Sequence, residues 1–368
     1  MPYLIRPFRN TDTPHLARIW NLHHEAMNWP HRVRAVHFES CVLAKPFFVP
    51  SDLLIIEDDE QPFGFVHVAY GANDSCDAPD PHAGILAALY IAPNANEEIA
   101  ADLLLTEAMK RFDAVGCPSV ISIGAEWRNA FYIGIAPGDA LMGVPARDSR
   151  LQQWLIAGGF RPIRPTEVWE LQLDTFRAPM DRGQIAVKRT ASVGKVLDDA
   201  DPNWWHAVTM GHTEQISFQL FSRMQSNFIE EASLWYTDPA ISGLRSHIAR
   251  LWLMPIAAGI QQQENATASM VTFVSQAPQI PRDQIPRQQM PREQKPREQM
   301  TREHQSRERT EANDRRVYLL SEAMRQLHLE RFTTVRTVAS ADQQQSISIL
   351  QRLGFQSVEP GMIFERTR

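Results

Sequence analysis

The sequence predicts an α/β (α+β) protein of two similar halves. Three observations carry this: the length, an alternation of strand-like and helix-like runs, and the return of the same order of elements after a short linker. At 368 residues the chain is long enough for two domains of roughly 100 to 200 residues, each with its own core. Apolar residues make 43% and charged residues 22%, a globular balance that excludes collagen-like, coiled-coil and wholly disordered chains.

In the first half, Tyr3 to Pro7 reads as a short strand, and Asp12-Thr13-Pro14 reads as the cap and first turn of a helix over His15 to His24. Asp52 to Ile56 and Phe63 to Tyr70 are rich in branched and aromatic residues and flank a polar turn, which predicts a hairpin. Ala83 to Ile91 is a further apolar strand. Glu97 to Phe112 carries Ile99, Leu103, Leu104, Ala108 and Phe112 at helical spacing, and Val120 to Ala125 is a strand again. Leu151 to Ala157 is a helix stopped by Gly158-Gly159, followed by two strands, Phe160 to Ile163 and Thr166 to Leu173.

Arg177 to Gly183 is the expected linker, dividing the chain into domains at 1–176 and 184–368. Beyond it the pattern predicts a strand at Gln184 to Lys188, a helix around Trp204 to Met210, and strands at Gln215 to Ser222, Glu231 to Tyr236 and Ala249 to Ile256. Then come a helix from about Asp314 to Leu329, a strand at Thr333 to Val338, a helix at Gln343 to Leu353 and a closing strand from Ser357 to Glu365. One order of elements twice over suggests an internal duplication.

The second half is interrupted by the repeats PRDQI, PRQQM, PREQK and PREQM, followed by the decayed copies TREHQ and SRERT. A period of five keeps no fixed side on a helix or a strand, and each proline would cost a helix interior about 3 kcal/mol. The region from about 276 to 312 therefore reads as a disordered insertion, with its later, proline-free copies able to turn helical. Its recurring arginines supply a weak basic patch for RNA or an acidic partner.

The chain as a whole has no such attraction. Lysine plus arginine number 37 against 43 aspartate plus glutamate, a net charge of -6, which gives no general field for nucleic acid or an anionic membrane. Cys41, Cys76 and Cys117 form neither a disulfide framework nor a zinc pattern, and the simplest compartment for them is the cytoplasm. Arg6 and Arg9 stand where a signal peptide would be apolar, and Leu251 to Ile260 is too short to span a bilayer. His15, His23 and His24 share one predicted helix without the carboxylate pattern or common side that a metal site needs, so no metal is expected.

At four places the chain resembles the GCN5-related N-acetyltransferase (GNAT) superfamily, in the tandem pattern of mycothiol-synthase-like proteins. These are LYIAP at 89–93, RNAFYIGI at 128–135, LIAGGFRPI at 155–163 and SADQQQSISILQRLGFQSVE at 340–359. The resemblance implies two tandem domains, each a mixed sheet flanked by helices. Two neighbouring strands would splay to admit the pantetheine arm of acetyl-CoA, the co-substrate, whose diphosphate would rest on amides at a helix start. It places Tyr90, Ile91, Asn96, Ile99, Ala100, Ala101 and Asn129 at the cofactor in the first half, and Arg315 and Arg316 in the second. The loop NANEEIAADLLL departs from the family's glycine-bearing pattern, with Asn96 at the usual basic residue, Ile99 at a usual glycine, and Glu97 and Glu98 close by.

The tyrosine that such proteins often place before the glycine-phenylalanine pair is Leu155 in one half and Leu350 in the other. Glu126 and Tyr132 are the substitute catalytic candidates, because acyl transfer needs a proton acceptor and a donor. His82 and His247 are further candidate bases, and Trp204-Trp205 either lines a cleft or packs between domains. The leading expectation is an acetyl-CoA-dependent N-acyltransferase acting on a small-molecule or peptide amine. The alternative is an eroded relative serving as acyl-CoA sensor or protein-interaction scaffold.

Overall fold

The computed structural model describes residues 3–29, 32–93, 96–124, 129–135, 142–197, 201–237, 248–251 and 297–368, with side chains in the last span from 308. The first copy opens with β1 (Leu4–Pro7), α1 (Thr13–Glu25) and the short α2 (Ala35–Phe38), then β2 (Leu53–Asp58), β3 (Gln61–Ala72) and β4 (Pro79–Ile91). It continues through α3 (Glu97–Ala114), β5 (Ser119–Ser122), β6 (Val144–Pro145), α4 (Ser149–Ala157) and β7 (Arg161–Gln172). The second copy comprises α5 (Arg182–Thr190), β8 (Ala191–Leu197), α6 (Trp204–Met210), β9 (Glu214–Ser222), β10 (Phe228–Tyr236) and β11 (Ile248–Leu251). It ends with α7 (Arg297–Leu329), β12 (Thr334–Ser340), α8 (Gln344–Arg352) and β13 (Gln356–Thr367). The α/β architecture expected from the sequence is present.

The described strands form one sheet in the order β1-β2-β3-β4-β5-β13-β7-β12-β11-β10-β9-β8, with β6 against β13. Most neighbours are antiparallel; β4 with β5 and β11 with β12 are the parallel pairs, one in each copy. The closing strands are exchanged: β7 runs against β12, and β13, the last strand of the chain, runs against β5. Each copy therefore completes its sheet with a strand from the other.

Two of the helix stops show why short sequence signatures mattered. Gly159 and Gly354 lie at φ of 85° and 88°, and the next residues, Phe160 and Phe355, return their amides to the carbonyls of Leu155 and Leu350 at 2.9 and 3.0 Å. This is a Schellman stop, which needs a left-handed residue after the helix and seats the following apolar side chain in the core.

Several sequence expectations are corrected. The segment 184–188 is helical, because the Asp181 carboxylate accepts the Gln184 amide and starts α5. The two strands expected at 160–173 are one strand, β7, which its pairing with β13 and β12 makes continuous. β5 ends at Ser122, short of Ala125. On α3, Ile99 and Leu103 face solvent, while Ala100, Ala101, Leu104, Leu105, Ala108, Met109 and Phe112 are buried. Helix α7 of the second copy is described from Arg297, within the later repeats, rather than from near Asp314; the repeats from 281 to 295 and Pro296 lie outside the described residues.

The first copy buries apolar side chains on both faces of its sheet. α1 and the segments around α2 cover one face, with Leu16, Trp20, Phe38, Phe65 and Tyr90. α3 and α4 cover the other, with Leu86, Leu104, Phe112, Trp154 and Phe364 of β13. Trp205 of α6 joins the first of these clusters and stacks on Phe47 at 4.8 Å, so it packs between the copies. In the second copy, α7 and α8 cover one face with Phe218, Leu220, Val335 and Phe355. Among the described residues, no helix is long and apolar enough to cross a membrane.

Candidate functional site

In the first copy β4 and β5 are paired from Ala83–Ser119 to Leu86–Ser122, and the Ile123 amide still reaches the Leu86 carbonyl at 2.9 Å. Beyond that point β4 runs on to Ile91 without β5. The strands therefore part, as expected, beside Tyr90 and Ile91. The Ala92 amide is given to Phe63 of β3 at 2.8 Å, so alternation turns the Ile91 carbonyl to the opposite edge, the one left by β5.

That edge carbonyl is already engaged. His23 of α1, with no exposed side-chain surface, places Nδ1 at 3.1 Å from the Ile91 oxygen and Nε2 at 2.9 Å from Asp148 Oδ2. Both contacts are met at once when both ring nitrogens donate. Asp148 caps α4 by accepting the Leu151 amide at 3.1 Å. Burial pushes its carboxyl up, but the hydrogen bond and charge of His23, with the Leu151 amide, outweigh this and hold it below the usual range. One buried pair thus ties α1, β4 and α4 together at the parting.

The start of α3 is closed from the same side. Arg150 of α4 donates to Glu97 at 2.9 Å and to the His23 carbonyl at 3.1 Å. Asn96 is the cap residue of α3, without a side-chain cap bond. Ile99, at the position where the family carries glycine, is 56% exposed, and Ala100 and Ala101 are packed into the core under the helix. Of the first-copy cofactor candidates, only Asn96 and Ile99 are accessible at this helix start. Tyr90 is enclosed by Trp20, His23, His24 and Phe65 at ring distances of 4.3 to 5.6 Å, and burial drives its hydroxyl pKa up.

Tyr132 lies in the same aromatic cluster, not at an open cleft. It is buried, stacks on Trp20 at 5.7 Å and bonds His67 Nδ1 through its hydroxyl at 3.0 Å. Burial raises the Tyr132 hydroxyl well above its ordinary value and lowers His67 to about 3, so neither group exchanges protons near neutrality. Asn129 is buried, accepts the Phe131 amide at 3.1 Å, and its Nδ2 has no partner among the described residues. Glu126 and His247 lie outside the described residues. His82 is exposed toward the start of β4, away from the parting.

In the second copy Arg315 and Arg316 stand well inside α7, not in its first turn. Their amides belong to the helical ladder and offer no anion cradle. Arg316 pairs with Glu230 of β10, whose carboxyl burial nevertheless pushes up. Thr337 of β12 donates its hydroxyl to the Leu251 carbonyl at 2.9 Å, at the end of the parallel pair. No group of three or more metal-ligating side chains occurs among the described residues.

His23, Asp148 and Arg150 were not identified as a site from sequence. Asp148 ahead of Leu151 is a recognisable cap signal, but nothing in the sequence joins it to a histidine on the first helix.

No protein-family model matches the chain, and no curated protein matches it. Solved structures do. A tandem GNAT protein from the clavulanic acid biosynthesis pathway is 11% identical over 100% of this chain and 98% of its own, with a TM-score of 0.55. A GCN5-related N-acetyltransferase from Sphaerobacter thermophilus is 10% identical over 99% and 95%, with a TM-score of 0.56. The GCN5-related glucosamine N-acetyltransferase region of a fungal multi-domain GH3 β-N-acetylglucosaminidase is 12% identical over 99% of this chain and 38% of that one, at 0.61. The chain has the tandem GCN5-related N-acetyltransferase fold.

Proposed function

We propose that this chain is a non-catalytic member of the fold, a two-copy scaffold for protein interactions, with repeating units over 1–176 and 184–368. The observation that carries the reading is the first-copy closure: His23, held by Asp148, occupies the free carbonyl of Ile91, and Arg150–Glu97 spans the start of α3. Acyl transfer requires an open strand edge for the pantetheine, helix-start amides for the diphosphate, and a proton-exchanging group tuned near neutrality. Among the described residues, the engaged Ile91 carbonyl, the Arg150–Glu97 bridge and the buried Tyr132–His67 pair each count against acetyl-CoA in the first copy. In the second copy the proposed phosphate partners, Arg315 and Arg316, are displaced from the helix start.

A second reading has a specific observation in its favour. The parting of β4 from β5 beyond Leu86 is retained, and it supports an acetyl-CoA-dependent N-acyltransferase acting on a small-molecule or peptide amine. The mycothiol-synthase-like resemblance would assign that chemistry to the second copy. Incubating the full chain with acetyl-CoA and a panel of amines, while following release of the free thiol, separates the two. The scaffold reading expects no release above the protein-free control with any amine. Thiol release that saturates in one amine would overturn it.

A further inference from the structure

A buried lysine and histidine join the two copies. Lys45, 6% exposed, donates from Nζ to the carbonyls of Val208 and Thr209 at the end of α6, both at 2.7 Å, and contacts His212 Nδ1 at 3.1 Å. Nε2 of His212 in turn reaches the carbonyl of Ile133, in the first copy, at 2.7 Å. An ammonium has three protons and no acceptor, and here it meets three acceptors. His212 must therefore accept at Nδ1 and donate at Nε2, which makes it the neutral ring.

The surroundings hold this arrangement closely. Ile133 packs with Met210 and Trp235, and a side chain on Gly134 would meet Thr237 at 2.6 Å. The titratable groups facing the pair are Lys45 and His212 themselves and Cys41, which lies near Lys45 and whose thiol burial pushes up to about 12. Cys41 thus supplies no negative charge to offset a second cation.

We infer that this joint is an acid-sensitive clasp: a second proton on His212 sets an N–H against the Lys45 ammonium, so acid releases the 129–135 segment of the first copy from α6 of the second. Burial and the Lys45 charge hold His212 at about 4, whereas a released histidine titrates near 6.5. Lys45, held at about 8, stays charged in both states below neutrality and adds no pH dependence there. The inference stands on the joint alone and does not depend on whether the chain transfers acyl groups.

Hydrogen exchange of the full chain at pH 7.5 and 5.0, expressed as protection relative to an unstructured chain, tests it. The two His212 values predict about a 30-fold loss of protection at pH 5.0 for amides in 129–135 and 204–213. His212→Gln keeps an acceptor and a donor but cannot take a proton, and should abolish the loss. Lys45→Met, which removes the repelling charge, should reduce it. No loss, or the same loss in His212→Gln, would overturn the inference.

Discussion

Among the described residues, the first copy covers both faces of its sheet with large apolar clusters, whereas the second copy has one such face and, on the other, the small group of Trp235, Met210 and Ile133. In β9, β10 and β11 the residues between the core positions are Ser217, Gln219, Glu231, Ser233 and Arg250, and alternation places them on the face opposite α7. There Glu231 accepts from Ser217, Ser233 and Gln219 at 2.9 to 3.0 Å, and Arg250 lies over the Trp235 ring at 4.9 Å. The copies also differ after the parallel pair. α3 starts at Glu97, shortly after β4, whereas α7 starts at Arg297, far along the chain from Leu251. Both halves keep one parallel strand pair and a glycine-phenylalanine helix stop, and they differ at the helix after that pair, whose start is bridged by Arg150–Glu97 in the first half and lies far along the chain in the second.

The exchanged strands give the largest expected effect. Expressed separately, 1–176 and 184–368 each lose a central strand partner, and neither should show cooperative unfolding as a monomer, while the full chain does. Two cooperative, monomeric halves in urea titrations would mean the copies are less interdependent than the sheet order implies. Next, Trp205→Ala should cost about 3 to 5 kcal/mol, because it empties a buried site in the first copy's core from the second copy's helix. Chemical denaturation reads this directly; a loss below about 1 kcal/mol would make the contact peripheral.

Asp148→Ala should cost about 3 kcal/mol, since it leaves His23 buried without its carboxylate and removes the α4 cap. An exposed His82→Ala control should be near neutral in the same urea series. Acidification acts on several buried rings together. His24 and His67 are held at about 3 and His212 at about 4, all below the ordinary 6.5. The unfolded chain therefore takes up protons first, and stability falls as pH drops from about 6.5 toward 4, by at most about 1.4 kcal/mol per pH unit for each ring. A urea midpoint unchanged between pH 7 and 5 would contradict these burials. The smallest effect is a gain. Arg331 holds φ 68° at the stop of α7, where the matching stop of α3 has Gly116 at 71°, so Arg331→Gly should stabilise by roughly 1 kcal/mol, read as a raised urea midpoint.

What the sequence made legible follows from locality. The glycine-phenylalanine stops, the β2–β3 hairpin and the α3 helix are each decided within a dozen residues, and each stands where the pattern put it, with boundaries shifted. The 184–188 segment was misread because a short apolar run has no period of its own, and the Asp181 cap decides it. The apolar packing on both faces of β4 is written in its continuous run GILAALYI, as is the apolar packing on one face of β9 in the alternating ISFQL. The strand exchange and the His23–Asp148 pair were not legible, because both join positions more than a hundred residues apart. Tyr132 looked catalytic from its place in a resembling segment, and only the packing of Trp20 and His67 around it shows it enclosed.

The closure of the first copy is tested most directly by titrating acetyl-CoA into the full chain in a calorimeter. The account predicts no saturable heat up to about 1 mM, a threshold of about -4.1 kcal/mol. A saturable isotherm in the micromolar range, abolished by blocking the parting of β4 and β5, would contradict it.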